Sequence, residues 1–130
     1  MMTNNYAPIY PHDPLIEIFE NIYLLRGSIK LGFGFSMNRN MIILKQDGEL
    51  TLINAVRISE PELEKLNNLG QIKHVIRLGD FHGLDDQFYI DHYQATLWSQ
   101  SCHVNYPNLV PHQIIQADQC PPIKNAEFFI

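Results

Sequence analysis

Two apolar runs joined by an aspartate-glycine pair, with a marked helix start soon after, limit what this chain can fold into. Met41-Ile42-Ile43-Leu44 reads as a well-buried strand. Gln46-Asp47-Gly48-Glu49 follows, and Asp-Gly suits the positive backbone angles of a tight reversing turn. Leu50-Thr51-Leu52-Ile53-Asn54 is then the returning strand of a hairpin. Ser59 with Glu62 three residues on fits a capping box, and Pro61 is tolerated in a first helical turn. Leu63, Leu66 and Leu69 recur at helical spacing, and Gly70 suits the stop. Val75, Ile76 and Leu78 form a short strand, expected to be covered on both sides by helices. A second helix is expected from about Asp85 or Asp86 to Tyr93, then a strand over Ala95-Thr96-Leu97-Trp98. This order predicts a mixed sheet with helices against it, an α/β or α+β layered domain.

The flanks are less regular. Residues 1–15 carry Pro8, Pro11 and Pro14 and read as an extended N-terminal arm, leaving 16–130 as a single domain. Asn21 to Ile29 reads as a strand, with Gly27 marking a bulge or a close backbone approach. Gly32-Phe33-Gly34-Phe35 lacks the spacing of a nucleotide loop. It reads either as a loop closing over a pocket or as a plain aromatic hairpin. Beyond Trp98 come Pro107, Pro111, Pro121 and Pro122 in loops, and Ala126 to Ile130 ends the chain in a strand.

A hydrophobic content of 45% over 130 residues is enough for one buried core without staples. The net charge is −5 and the nine Lys and Arg residues are scattered, so no nucleic-acid partner is expected. No apolar run approaches a membrane span, and the amino terminus lacks the pattern of a secretory signal. Two cysteines make no disulfide framework, and a cytoplasmic location is expected.

Chemistry concentrates in Ile76 to Asp86, where an apolar strand runs into a loop holding one histidine and three carboxylates. His82, Asp85 and Asp86 suit zinc, iron or manganese, and Asp80 can join them. At the carboxyl end of a strand they can converge on one crevice, where open α/β sheets bind ligands. The same residues allow acid–base work, a carboxylate activating water while His82 transfers a proton. They also allow a plain reading. Asp85 and Asp86 then start a helix, one of them capping backbone N–H groups, Asp80 is a turn residue and His82 bonds the backbone.

Other candidates are weaker. Cys102, His103, His112 and Cys120 lack the paired knuckle of structural zinc sites, and both cysteines read equally as loop or core residues. His92 lies late in its helix, where the dipole favours a cation, and His74 is expected to be exposed. Tyr89 and Tyr93 share a helix face and pack with Phe88. Ser28, Ser36 and Ser99 lack a nucleophile-elbow context.

Arg39-Asn40-Met41-Ile42-Ile43, Asp47 to Asn54, the capped helix and Ile72-Lys73-His74-Val75-Ile76-Arg77-Leu78 together resemble the amino-terminal half of metallo-β-lactamase-fold proteins. The resemblance is closest to a divergent, uncharacterised branch and covers about residues 16 to 100. It implies half of an αββα sandwich, with a mixed sheet carrying helices on one face. It also implies a hydrolase whose metal-bound water attacks an ester, amide or phosphoester. The family signature H-x-H-x-D-H falls where Phe81 to Asp86 stand. With a one-residue shift, His82 matches a signature histidine and Asp85 or Asp86 its aspartate. Asp80 stands where another histidine is expected, and no histidine follows the aspartates.

The implied site is therefore His82, Asp85 and Asp86 as metal ligands, with Asp85 and Asp86 also the catalytic carboxylates. Asp80 and Asn54 would support them. Asn54 ends its strand on the same edge, where it would bond a ligand or metal-bound water, or merely begin a turn. The family's remaining ligands come mostly from a second half. The chain is therefore expected to be truncated, to close its sheet differently, or to pair with a second chain, and a homodimer can supply that chain. The alternative to a hydrolase is a non-catalytic interaction or dimerising module.

Overall fold

The computed structural model describes residues 6–79, 83–100, 111–116, 119–124 and 126–127. Among the described residues, seven strands lie in sequence order across one sheet. They are β1 (Ile16–Phe19), β2 (Ile22–Gly32), β3 (Phe35–Gln46), β4 (Glu49–Ile53), β5 (Gln71–Arg77), β6 (Thr96–Ser99) and β7 (Gln113–Ile114). β1 to β4 pair antiparallel, and β4 to β7 pair parallel. α1 (Glu60–Leu69) carries the chain from β4 to β5, and α2 (Asp86–Tyr93) from β5 to β6.

Turn chemistry sets the two hairpins. Asp47 and Gly48 take φ of 52° and 77° between the paired Gln46 and Glu49. Phe33 and Gly34 do the same at 52° and 79°, so the aromatic segment is the tight tip of the β2–β3 hairpin. Two successive residues at positive φ match the right-handed twist of the strands they join. Gly27 faces Arg39 in unbroken register, and a Cβ there would lie 2.9 Å from the Arg39 carbonyl oxygen. Close approach is its role, and the register shift falls between Lys30 and Gly32.

Period-2 alternation sends side chains to both faces of the sheet. Leu25, Met41, Ile43, Leu52, Val75 and Leu97 point to one face and are fully buried there. Leu66 of α1 and Phe88 and Tyr89 of α2 join the same cluster, so both helices cover this one face. The expectation of helices on both sides of β5 fails for that reason: consecutive crossovers of one hand land on one side. On the outer face Ile76 and Trp98 are buried by Ile115, with Ile53 and Ile123 packed alongside.

Several local expectations are corrected. Ser59 precedes α1 as its cap, but its side chain makes no capping hydrogen bond. Its N–H goes to His12 Nε2 at 2.8 Å, and Glu62 accepts the Leu15 N–H at 2.9 Å. The N-terminal arm thus occupies both halves of the predicted box. Gly70 is extended rather than left-handed; a Cβ there would come within 2.5 Å of the Gly48 carbonyl. The alternation Ile16-Glu17-Ile18 makes β1, and His112 bonds Leu97 both ways to lead into β7. Neither strand was expected from the sequence. His74 is half-buried and accepts the Trp98 Nε1–H at 3.1 Å; burial pushes its pKa down. Leu78 lies past the end of β5 and is exposed. Ala126 and Glu127 form no strand, and Phe128 to Ile130 lie outside the described residues.

Candidate functional site

β4, β5 and β6 run parallel, so their carboxyl ends share one edge, and α2 starts there. The β2–β3 hairpin projects past the same edge, because β3 runs antiparallel to β4. Asn54 closes β4 at φ 54°, donates its N–H to Ile76 O and accepts the Leu78 N–H on Oδ1, both at 2.8 Å. Its side chain therefore locks two strand ends together.

Asp85 and Asp86 are 1% and 0% exposed. Asp85 precedes α2 but makes no side-chain cap. Its Oδ2 instead accepts Arg39 Nη1 and the Arg57 backbone N–H, both at 2.8 Å. Asp86 Oδ2 accepts Arg77 Nε at 2.9 Å, and Arg77 is itself 1% exposed. Gly83 lies flat on that guanidinium: a Cβ there would sit 2.6 Å from Nε. Arg57 stacks over Phe88 at 4.6 Å and Tyr6 at 5.5 Å, and its Nη1 donates to Ala7 O. Tyr89 OH donates to Val56 O at 2.6 Å, stacks with Tyr93 and meets Phe88 edge-on. His92 stacks on Phe88 at 4.2 Å.

Burial pushes both carboxyls above their ordinary pKa range. The Arg57 N–H and Arg39 oppose this at Asp85, and Arg77 opposes it at Asp86. Desolvation prevails because each ion pair is one-sided. Among the described residues, Asp85 Oδ1, Asp86 Oδ1, Arg39 Nη2, and Arg77 Nη1 and Nη2 are buried with no partner.

The structure thus brings Asp85 and Asp86 together and places Asn54 on the same edge. Asp80 and His82 lie outside the described residues, as do Cys102 and His103. His112 accepts the Leu97 N–H, and the Cys120 thiol contacts Gln116 O at 3.1 Å. Among the described residues no group of three or more His, Cys, Asp or Glu could hold a metal. Zinc, iron or manganese needs ligand oxygens that are not already neutralised. Here a guanidinium lies on the Oδ2 of each carboxylate and the Oδ1 of each is buried, so the acids are already charge-balanced and a dication would leave a net positive charge in a desolvated cluster. The described residues therefore do not fit the metal.

Sequence reasoning missed the three arginines, although part of the signal was readable. Arg39 shares strand parity with Met41 and Ile43, and Arg77 with Val75, so alternation aims both at the core face. A buried arginine needs a buried acid, and Asp85 and Asp86 follow within one loop of Arg77.

No protein-family model matches the chain, and no curated protein does. Solved structures do. The DIM-1 metallo-β-lactamase aligns at TM-score 0.62 and 11% identity over 82% of this chain and 52% of its own. The protein VMB-1 aligns at 0.63 and 8% identity over 85% and 54%. A metallo-β-lactamase from Erythrobacter litoralis aligns at 0.55 and 7% identity over 82% and 49%. The chain has the fold of a partial metallo-β-lactamase domain and spans about half the length of the structures it matches.

Proposed function

We propose that this metallo-β-lactamase-fold chain acts by binding a protein partner rather than by metal-dependent hydrolysis. The observation that carries the reading is the pairing of Asp85 with Arg39 and of Asp86 with Arg77. A carboxylate that would ligate a metal or activate water has to offer an oxygen to the substrate side of the edge. Here the Oδ2 of each is held by a buried arginine and the Oδ1 of each is buried as well, so neither oxygen faces that side, and exposing a buried ion pair to make it do so is costly. A metal would have to overcome that at both carboxylates. The arginines set positive charge against both carboxylates, and they tie β3, β5 and the start of α2 together.

The test is elemental analysis of protein purified from medium replete in zinc, iron and manganese. The expected result is no stoichiometric metal, and no ester, amide or phosphoester hydrolysis that depends on His82. Metal near one per chain, lost in His82→Ala, would overturn the reading and restore the hydrolase. No described helix is long and apolar enough to cross a membrane.

A further inference from the structure

The β2–β3 hairpin runs on past the sheet that carries it. β4 stops pairing with β3 at Ile42, and β1 stops pairing with β2 at Leu24. Residues 29–37 are therefore a two-stranded ribbon, and its end is apolar. Leu31 is 58% exposed, Phe35 is 71% exposed, and Phe33 in the turn stands fully in solvent. The residues between them are Gly32 and Gly34. From Leu31 to Phe35 the tip thus presents no polar side-chain atom. Nor is this one face of a regular strand. Leu31 lies in the register break, Phe33 takes a positive φ, and Phe35 pairs with Gly32. The tip is a convex apolar cap, and contiguous exposed apolar surface marks a contact site.

Charge follows the same order. None of the 14 carboxylates falls between Glu20 and Asp47, although the chain carries a net −5, so the whole hairpin is free of acids. Behind the cap Lys30 pairs with Ser36, then Ser28 with Asn38 and Arg26 with Asn40, a polar ladder down one face. Asp13 of the arm shares the cleft of Arg26, which leaves Lys30 as the cation nearest the tip. Two to three residues at about 3.3 Å each set Lys30 roughly 7–10 Å behind Phe33. Interfacial segments bury their apolar side about 5–10 Å deep, and a lysine at that level keeps its ammonium among the headgroups. The ribbon carries little unpaired backbone with it, since β2 and β3 pair with each other as far as Gly32 and Phe35.

We infer that the β2–β3 hairpin inserts its Leu31-Gly32-Phe33-Gly34-Phe35 cap into a phospholipid surface, with Lys30 at the level of the headgroups. A groove on a protein asks for polar groups that pair around an apolar centre. A cap with no hydrogen-bonding side chain, backed by an acid-free ribbon, suits a lipid surface better. The inference goes beyond the protein-partner reading and does not depend on it.

Flotation of the full chain with phosphatidylcholine vesicles tests it. Lipid-bound protein is expected, and binding should persist at about 1 M salt, where charge attraction is screened within about 3 Å. Phe33→Ser and Phe35→Ser should each weaken partitioning about tenfold. Both positions are exposed, so the thermal melt should stay that of the wild type. Phe33→Trp should be quenched by lipids brominated on their acyl chains, while the buried Trp98 of the wild type should not respond. A chain that stays in the aqueous fraction overturns the inference and leaves the cap to an apolar pocket in a protein partner. Vesicle binding that both serine variants leave unchanged overturns it too. Metal content, measured on the same sample, decides the non-hydrolytic reading separately.

Discussion

The two faces of the sheet start from the same strand chemistry and end differently. Leu24 and Leu25 are neighbours, as are Ile42 and Ile43, and each pair splits between the faces. On the helix side Leu25 and Ile43 are fully buried, and the carboxyl edge above them is closed by two arginine–aspartate pairs. On the outer side Leu24 and Ile42 are only half-buried, and the charges around them are exposed and separated. The same alternation thus yields a face that is finished within the chain and a face that still has surface to bury. The finished face also carries the carboxylates expected to do chemistry, and each is ion-paired to an arginine there.

The largest effect that sharpens this contrast is on the ion pairs. Asp86→Ala leaves Arg77 buried without its partner and should cost about 3–5 kcal/mol in urea unfolding. Replacing both members with apolar residues, Arg77→Met with Asp86→Leu, should be far milder, because the desolvation of two charges disappears with them. If Asp86→Ala cost no more than an exposed substitution, the edge would be open and the contrast between the faces would collapse.

Packing gives the next effect. Leu25→Ala should cost roughly 2–5 kcal/mol, the range for a buried leucine whose site cannot collapse. Leu24→Ala, one residue along, should cost about 1 kcal/mol, since part of its surface already meets water. Equal costs would mean the outer face is as tightly sealed as the helix side.

How far the sequence led depends on whether a residue's partner is local. Asp47-Gly48 and the Leu63, Leu66, Leu69 spacing are local signals, and the hairpin and α1 lie where they put them. The order of elements carried the resemblance, and it survives in the fold. Ser59 and Glu62 were read as partners because they are three apart; their actual partners, His12 and Leu15, are 47 residues away. Arg39 meets Asp85 only after β3 and α2 are placed, so spacing along the chain could not reveal that pair. The chemistry suggested for Asp85 and Asp86 came from their types, and their ion pairs come from which face their neighbours bury.

The smallest predicted effect sets the two kinds of acid against each other by pH. Glu62 is held below its ordinary range by the Lys65 ammonium, with the Leu15 N–H adding to it. A depressed acid contributes stability above its unfolded pKa and loses it as pH falls through the folded value. Asp85 and Asp86 are raised by burial, so the folded chain binds their protons more readily than the unfolded one. Their contribution has the opposite sign: stability rises as pH falls from their raised folded pKa toward the unfolded value near about 4. The arm clasp should therefore loosen in acid while the arginine cluster does not. Glu62→Gln should cost about 1 kcal/mol or less at neutral pH, because Lys65 is largely exposed, and it should flatten the acid limb of stability against pH. Asp86→Asn should remove the rise on acidification and leave the Glu62 limb in place. Unfolding free energy measured across this range in the three proteins separates the two, and identical pH slopes in wild type and Asp86→Asn would show that the carboxylate in the sealed edge is not desolvated after all.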